Sequence, residues 1–264
     1  MQNPRKWVGE LLLRSPSGLR ALRDVPVLGG IIHHVSHRVI PSDQKVWAQI
    51  EDGPLQGLWI ELNPRTGQNY LRGKAERGVL QALAKRLRPG MVFYDLGANI
   101  GSFSLLAARL VGEKGKVYSF EPDTEAAARL RRNVGRNSFA NVTIVEAGVW
   151  SASGYVNFIP AGASSPDHGT GKLVTAGDSR CVRVPCVALD DFVATALPPD
   201  AIKCDVEGAE VEVLRGAEHI LRTSKPFVLC EMHSAANDKA VRDILGRFGY
   251  AFEAVDADHV LAYV

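Results

Sequence analysis

The segment IKCDVEGAE, residues 202–210, begins as a buried strand and then places three carboxylates, Asp205, Glu207 and Glu210, within six residues. Strand periodicity puts Lys203 and Asp205 on one face and Ile202 and Cys204 on the other. A lysine one pleat before a carboxylate is unusual in a strand buried on both faces. Either the pair neutralises itself or it works on a ligand. A second apolar strand ends CEMH, residues 230–233, with Glu231 and His233 on one face. Carboxylates and imidazoles are the usual groups to take a proton from a hydroxyl as it reacts. Asp205 is the first candidate for that base and His233 the second. Lys203 or Glu231 would orient it, and Glu207 stands at the edge of the group. Glu210 falls in the first turn of a helix whose apolar face runs through Val213, Leu214, Ala217 and Leu221. It is expected on a solvated flank, where the helix dipole favours it. Asp205, Glu207 and Glu231 offer oxygen ligands for a divalent cation such as Mg²⁺, which would acidify a bound hydroxyl, but no spacing requires one. No metal ligand is therefore assigned.

These groups need a scaffold that brings two strand ends together. From residue 91 the chain alternates strand and helix: MVFYDL, SFSLLAARLV, KVYSFE, DTEAAARLRRNVGRN, NVTIVEA. The alternation breaks at GYVNFIP and CVRVPCVAL, which read as short antiparallel strands around the loop AGASSPDHGTGK. It resumes with AIKCDV, EVEVLRGAEHILR, PFVLCEM and NDKAVRDILGRF, and closes on the pair YAFEAV and HVLAYV. This is the pattern of an α/β, doubly wound, Rossmann-like sheet of seven strands, mostly parallel, with one antiparallel strand near the edge. At the first strand–helix junction, YDLGANIG has the spacing D-x-G-x-x-x-G, not the G-x-G-x-x-G that admits a dinucleotide pyrophosphate. Asp95 at the strand tip would repel phosphate but suits a ligand bearing an ammonium and a sulfonium. S-adenosylmethionine (SAM) carries both. Gly97 and Gly101 let the backbone come close to such a ligand. The next strand ends in Glu121, placed to accept both ribose hydroxyls.

YDLGANIGSFSLLAA, then VYSFEPD, then IKCDVEGAEVEVLRGA resembles the FkbM family of SAM-dependent methyltransferases over about residues 70–235. The resemblance implies a class I methyltransferase fold and, for many members, methylation of hydroxyls on sugars, glycolipids or polyketide products. It also implies that Asp95, Gly97, Asn99 and Gly101 hold the methionyl end of SAM and that Glu121 binds the ribose. Glu146, Ala147 and Gly148 would border the adenine, and Gly73 and Glu76 of YLRGKAE would cover the cofactor. The expected activity is O-methylation of a sugar, glycolipid or secondary metabolite. The alternatives are a methyltransferase acting on RNA or protein and a SAM-binding protein without catalysis. The segment CDVE in place of an N-P-P-Y type loop disfavours amino-nitrogen chemistry.

Composition narrows the remaining classes. A chain of 264 residues, 46% hydrophobic and 23% charged, is that of an ordinary globular protein. Its formal charge of +2 gives no strong nucleic-acid signal. Cys181, Cys186, Cys204 and Cys230 form no CxxC pair and read as core residues. No apolar run reaches the ~20 residues of a membrane span and no leader is evident, so a cytoplasmic location is expected. Residues 1–68 read as an N-terminal extension, a basic arm followed by a β-hairpin (KVWAQI, DGPLQG, LWIEL) turning at Asp52-Gly53. Residues 69–264 form the expected catalytic domain, opened by a helix over 69–88. The arm holds seven basic and three acidic residues within positions 1–45 and is a candidate for peripheral membrane contact or packing on a second copy of the chain. His33 and His37 have the spacing of a metal pair but no third ligand, and His168 lies in a loop that would serve as a lid.

Overall fold

The structure, a computed structural model, describes residues 44–160, 171–175 and 181–264, with isolated positions between 25 and 41. The expectations for residues 1–24 of the basic arm, for His33 and His37, and for His168 lie outside those residues. The chain divides into two compact units, Met1–Glu76 and Arg77–Val264.

In the first unit β1 (Val46–Gln49) pairs antiparallel with β2 (Trp59–Leu62), with Val46 opposite Leu62 and Gln49 opposite Trp59. The hairpin turn is longer than Asp52-Gly53. The Ile50 N–H donates to the Leu58 carbonyl and the Gly57 N–H to that of Ile50, so the connection spans 51–57. The single helix expected over 69–88 is instead two, Gln68–Leu71 and Arg77–Arg86. The break has a local cause. Gly73 takes φ 61°, and a Cβ there would lie 1.9 Å from the Asp52 carbonyl oxygen. That glycine lets the turn at 72–76 press against the hairpin loop. Leu71, Val79, Leu80, Leu83 and Leu87 are all buried, as their spacing implies.

The second unit is built on β3 (Val92–Leu96), β4 (Lys116–Phe120), β5 (Val142–Val145), β10 (Ala201–Cys204), β11 (Phe227–Glu231), β12 (Ala251–Ala254) and β13 (His259–Tyr263). Their order is β12-β13-β11-β10-β3-β4-β5, and β13 runs antiparallel to β11 and β12 while the other pairings are parallel. Between β5 and β10 the chain makes a small sheet of β6 (Gly148–Val149), β7 (Gly154–Ile159), β8 (Lys172–Val174) and β9 (Val182–Val187), in the order β6-β9-β7-β8. β7 pairs antiparallel with both β8 and β9, where the sequence rhythm breaks.

One core cluster joins the main sheet, through Tyr94, Leu96, Phe120, Ile202, Cys204, Val228 and Cys230, to Leu214, Leu221, Val241 and Leu245 of the later helices. Each fully buried leucine there contributes about 1.5–3 kcal/mol relative to exposure. The helix expected across EVEVLRGAEHILR is also two, Glu210–Arg215 and Glu218–Thr223. A Cβ on Gly216 would lie 2.3 Å from the Trp150 carbonyl oxygen, so the chain bends where those backbones touch. Among the described residues, no helix is long and apolar enough to cross a membrane.

Successive strands β3, β4 and β5 run outward one way, and β10 and β11 the other. The order therefore reverses between β3 and β10, and the carboxyl ends of strands at such a reversal are the usual ligand position in such sheets. In the β3–β10 register Lys203 faces Asp95 and Cys204 faces Leu96, and the Asp205 N–H donates to the Leu96 carbonyl at 3.2 Å.

Candidate active site

The glycine turn after β3 is shaped first by protein contacts. Gly97 has φ 77°, and a Cβ there would sit 1.8 Å from the Asp205 carbonyl oxygen. Gly101 has φ 95°, and its Cβ would meet Leu130 Cδ1 at 2.2 Å. Only glycine allows both contacts, so these two residues bring the turn against β10 and the helix Thr124–Arg136 before any ligand is considered. Asn99, also at positive φ (47°), donates its N–H to Glu121 Oε2 at 2.7 Å. The Asp123 N–H donates to Glu121 Oε1 at 2.9 Å. Burial pushes the Glu121 carboxyl up to about 7 against the pull of these two donors.

Asp95, at the end of β3, has no exposed surface. Oδ2 accepts from the Ser104 hydroxyl at 2.5 Å, and Ser104 and Ser119 hydroxyls lie 2.7 Å apart. Oδ1 has no hydrogen-bond partner. Burial raises the Asp95 pKa, offset in part by Lys203 across the strand pair.

Beyond the tip of β10 the charged groups converge. Lys203, 3% exposed, places Nζ 2.8 Å from Asp205 Oδ2 and 4.7 Å from the centroid of the Phe103 ring. His233 Nε2 lies 3.4 Å from Glu207 Oε2, 3.7 Å from Asp205 Oδ1 and 3.9 Å from Glu231 Oε1. Its Nδ1 lies 3.0 Å from Glu210 Oε1. All five residues proposed for chemistry (Asp205, His233, Lys203, Glu231, Glu207) therefore meet at one rim.

The electrostatics separate their roles. Burial alone would raise the Asp205 pKa, but the Lys203 ammonium and then His233 outweigh it and hold the carboxyl below its ordinary range. Hydrogen bonds to Glu207 and Glu210 push His233 up to about 11, against burial. At neutral pH the imidazole is thus a cation and donor, not a proton acceptor. Asp205, Glu231 and His233 also each offer one ligand atom, all within 4.8 Å of one another, the spacing of a cation site.

Glu210 departs from the expected solvated flank: it is fully buried. Oε1 accepts from the Val206 and Gly208 N–H groups at 3.2 and 3.1 Å, and Oε2 from Asn237 Nδ2 at 2.8 Å. The signal for this was Gly208, which at φ 99° beside Glu207 at φ 55° folds the chain into a turn that the helix-start acid can cap from inside. His259, not singled out in the sequence, enters through β13: it stands opposite Glu231 in the register, with Nε2 3.4 Å from Glu231 Oε2 and Nδ1 2.9 Å from Asp256 Oδ1.

Ala147 is buried beside Gly148, which begins β6 opposite Cys186 and would need to move Leu173 Cδ1, 2.8 Å away, to gain a Cβ. Glu146, next to them, accepts from Arg131. Glu76 belongs to the first unit, where it takes φ 48°. The unsatisfied Asp95 oxygen and the doubly donated Glu121 carboxylate, 7% exposed, suit a cationic ligand carrying a vicinal diol.

The methyltransferase FkbM domain model matches residues 95–252. The chain is 32% identical over 177 residues to the hexuronic acid methyltransferase AglP of Haloferax volcanii, covering 66% of this chain and 69% of that one. It is 29% identical over 237 residues to the 31-O-demethyl-FK506 methyltransferase FkbM of Streptomyces tacrolimicus, covering 79% and 85%. A crystal structure of methyltransferase FkbM from Methylobacillus flagellatus KT superposes with a TM-score of 0.48 at 18% identity, over 72% of this chain and 54% of that one. The family match spans most of the second unit: the chain belongs to the FkbM family of SAM-dependent methyltransferases.

Proposed function

We propose that this protein methylates a hydroxyl oxygen of a sugar, glycolipid or secondary metabolite, with Asp205 as general base. The observation that carries this reading is the Asp205 carboxylate at the carboxyl end of β10, held ionised by Lys203 at 2.8 Å and facing His233 at 3.7 Å. SAM, when bound, supplies an electrophilic methyl group. Asp95, and Gly97, Asn99 and Gly101 along the turn, would hold its methionyl end. Glu121 would accept the ribose hydroxyls, and Ala147 and Gly148 would border the adenine. Asp205 would take the acceptor hydroxyl proton, a role worth roughly 10²–10⁴-fold in rate. Lys203, His233 and Glu231 fix the charge around that carboxylate, while Glu207 and Glu210 set the imidazole. Most of the remaining acceleration is expected from alignment of the reacting groups.

The names of both relatives fit this class: one is a hexuronic acid methyltransferase, the other a 31-O-demethyl-FK506 methyltransferase. A rim of Asp205, Glu207, Glu210 and Glu231 against Lys203 and His233 is poorly suited to an RNA backbone. The test is calorimetric titration with SAM, followed by methyl transfer from labelled SAM to pools of pyranosides, glycolipids and RNA, with and without EDTA. Binding of SAM with transfer to a hydroxyl is expected. Absence of SAM binding, or transfer to RNA alone, defeats the reading. Loss of transfer in EDTA would assign the Asp205–Glu231–His233 trio to a cation.

A further inference from the structure

The closing hairpin reaches the charged rim through one side chain. β11 and β13 pair antiparallel with Glu231 directly opposite His259. The two oxygens of Glu231 address different imidazoles: Oε2 lies 3.4 Å from His259 Nε2, and Oε1 lies 3.9 Å from His233 Nε2. His233 Nε2 in turn stands 3.7 Å from Asp205 Oδ1. The His259 ring is held at its other nitrogen, Nδ1, 2.9 Å from Asp256 Oδ1. That same Asp256 oxygen accepts the N–H groups of Asp258 at 3.0 Å and of His259 at 2.9 Å. The Met232 N–H donates to the Asp258 carbonyl at 2.7 Å, so the turn is fastened to the strand that carries Glu231. These backbone bonds close the turn without help from the imidazole. The far end of the ring serves another purpose: Nε2 is buried without a hydrogen bond, with Glu231 Oε2 at ion-pair distance.

We propose that His259, oriented by Asp256, is a positioning residue that fixes the Glu231 carboxylate between Asp205 and His233. The proposal rests on the reading of Asp205 as the base and extends the machinery around it to the closing hairpin. Glu231 ends its strand with its side chain 27% exposed, so other rotamers would carry the carboxylate out to solvent. An imidazole has a nitrogen on each of two edges. With Nδ1 committed to Asp256, the ring plane is set and Nε2 is left for Glu231. Burial disfavours a charge on His259, but Glu231 and then Asp256 outweigh it, so the ring holds its proton more firmly than an ordinary histidine. Of the other charged groups on the surface that His259 shares, Asp238 and Arg242 pair with each other at 2.7 Å. The consequence falls on Asp205. Against burial, Lys203, His233 and Glu231, in that order, hold its carboxyl low. A carboxylate acts on a neighbouring base according to where its oxygens sit, so the hold on Glu231 sets the field in which Asp205 works.

The test is a double-mutant cycle in the full chain: His259→Phe, which keeps a flat ring without a donor, Glu231→Ala, and both together. Methyl transfer from labelled SAM to the hydroxyl acceptor found in the pools above gives kcat and KM. Each single change should lower kcat between about tenfold and a hundredfold with KM values held within about threefold, and the double variant should be no worse than Glu231→Ala alone. His259→Gln, whose amide can still donate to Glu231, should stay within about threefold of the unmodified protein. If His259→Phe does not fold, His259→Asn, which keeps an amide toward Asp256 but falls short of Glu231, takes its place in the cycle. A second readout needs no acceptor. With S-adenosylhomocysteine present, the His233 ring resonance in NMR should move in His259→Phe but not when the same change is made on the Glu231→Ala background. Additive losses in kcat, or a His233 resonance that His259→Phe leaves unmoved, overturns the proposal and reduces His259 to a part of the hairpin. Absence of transfer to any hydroxyl by the unmodified protein defeats the methyltransferase reading instead, and the NMR cycle then still decides whether His259 places Glu231.

Discussion

Glu210 Oε1 lies 3.0 Å from His233 Nδ1 and accepts, through the same oxygen, the N–H groups of Val206 and Gly208. One buried carboxylate thus ties the turn carrying Asp205 and Glu207 to the imidazole beyond β11. The two strand ends are locked to each other by side-chain chemistry as well as by the sheet.

Replacing Glu210 by Gln keeps the shape and removes the charge. Stability should fall by about 1–3 kcal/mol, after discounting for the partial exposure of His233. The imidazole pKa should drop well below its value of about 11. Chemical denaturation and an NMR titration of His233 read both. An unaltered titration would show that Glu210 does not set the imidazole.

Asp205→Asn should cut turnover by about 10²–10⁴-fold while the SAM dissociation constant stays within about threefold. Steady-state methyl transfer and calorimetry separate the two effects. Full turnover in this variant would remove Asp205 from the role of base.

Glu121 ties cofactor affinity to pH. Its carboxyl ionises at about 7, and the ionised form is the better acceptor for two hydroxyls. SAM should bind more weakly as pH falls from 8 to 6, and Glu121→Gln should bind weakly without that dependence. Titrations across this range check the slope, and a flat profile in the unmodified protein counts against the ribose assignment.

Two glycines separate packing from strain. Gly208 at φ 99° has open space around its missing Cβ, so Gly208→Ala should cost only the left-handed penalty of about 1–2 kcal/mol. Gly97→Ala adds a collision at 1.8 Å with the Asp205 carbonyl oxygen. It should cost more and also abolish SAM binding. Equal losses in thermal denaturation would show that the β3–β10 contact can relax.

The stabilising contributions of His233, Asp205 and Glu210 should be jointly complete between about pH 5 and 6.5. The raised His233 pKa means its contribution is complete below its ordinary value of 6.5 and fades as pH rises toward 11. Asp205 and Glu210 have lowered pKa values, so their contributions are present above their ordinary 3.8 and 4.5 and fade as pH falls through the folded values. Denaturant midpoints against pH measure both limbs, and His233→Gln should flatten the alkaline one.

The sequence by itself determined the doubly wound unit, because alternating apolar strands and amphipathic helices with glycine turns leave few other arrangements. It also determined that Asp95, Glu121, Asp205 and Glu231 stand at or just beyond strand ends, since strand length and turn residues set those positions locally. Folding decided what those ends face. Asp95 meets Ser104 and, through it, Ser119, and Glu210 turned inward because Val206, Gly208 and Asn237 supply donors that only the assembled turn brings within reach. His259 reached Glu231 through strand pairing across the closing hairpin, a contact between residues 28 positions apart that no local pattern encodes. The helix breaks at Gly73 and Gly216 have the same origin, backbone contacts with the distant Asp52 and Trp150. Periodicity reports which face of an element is buried; which polar groups meet there depends on partners that the fold alone brings together.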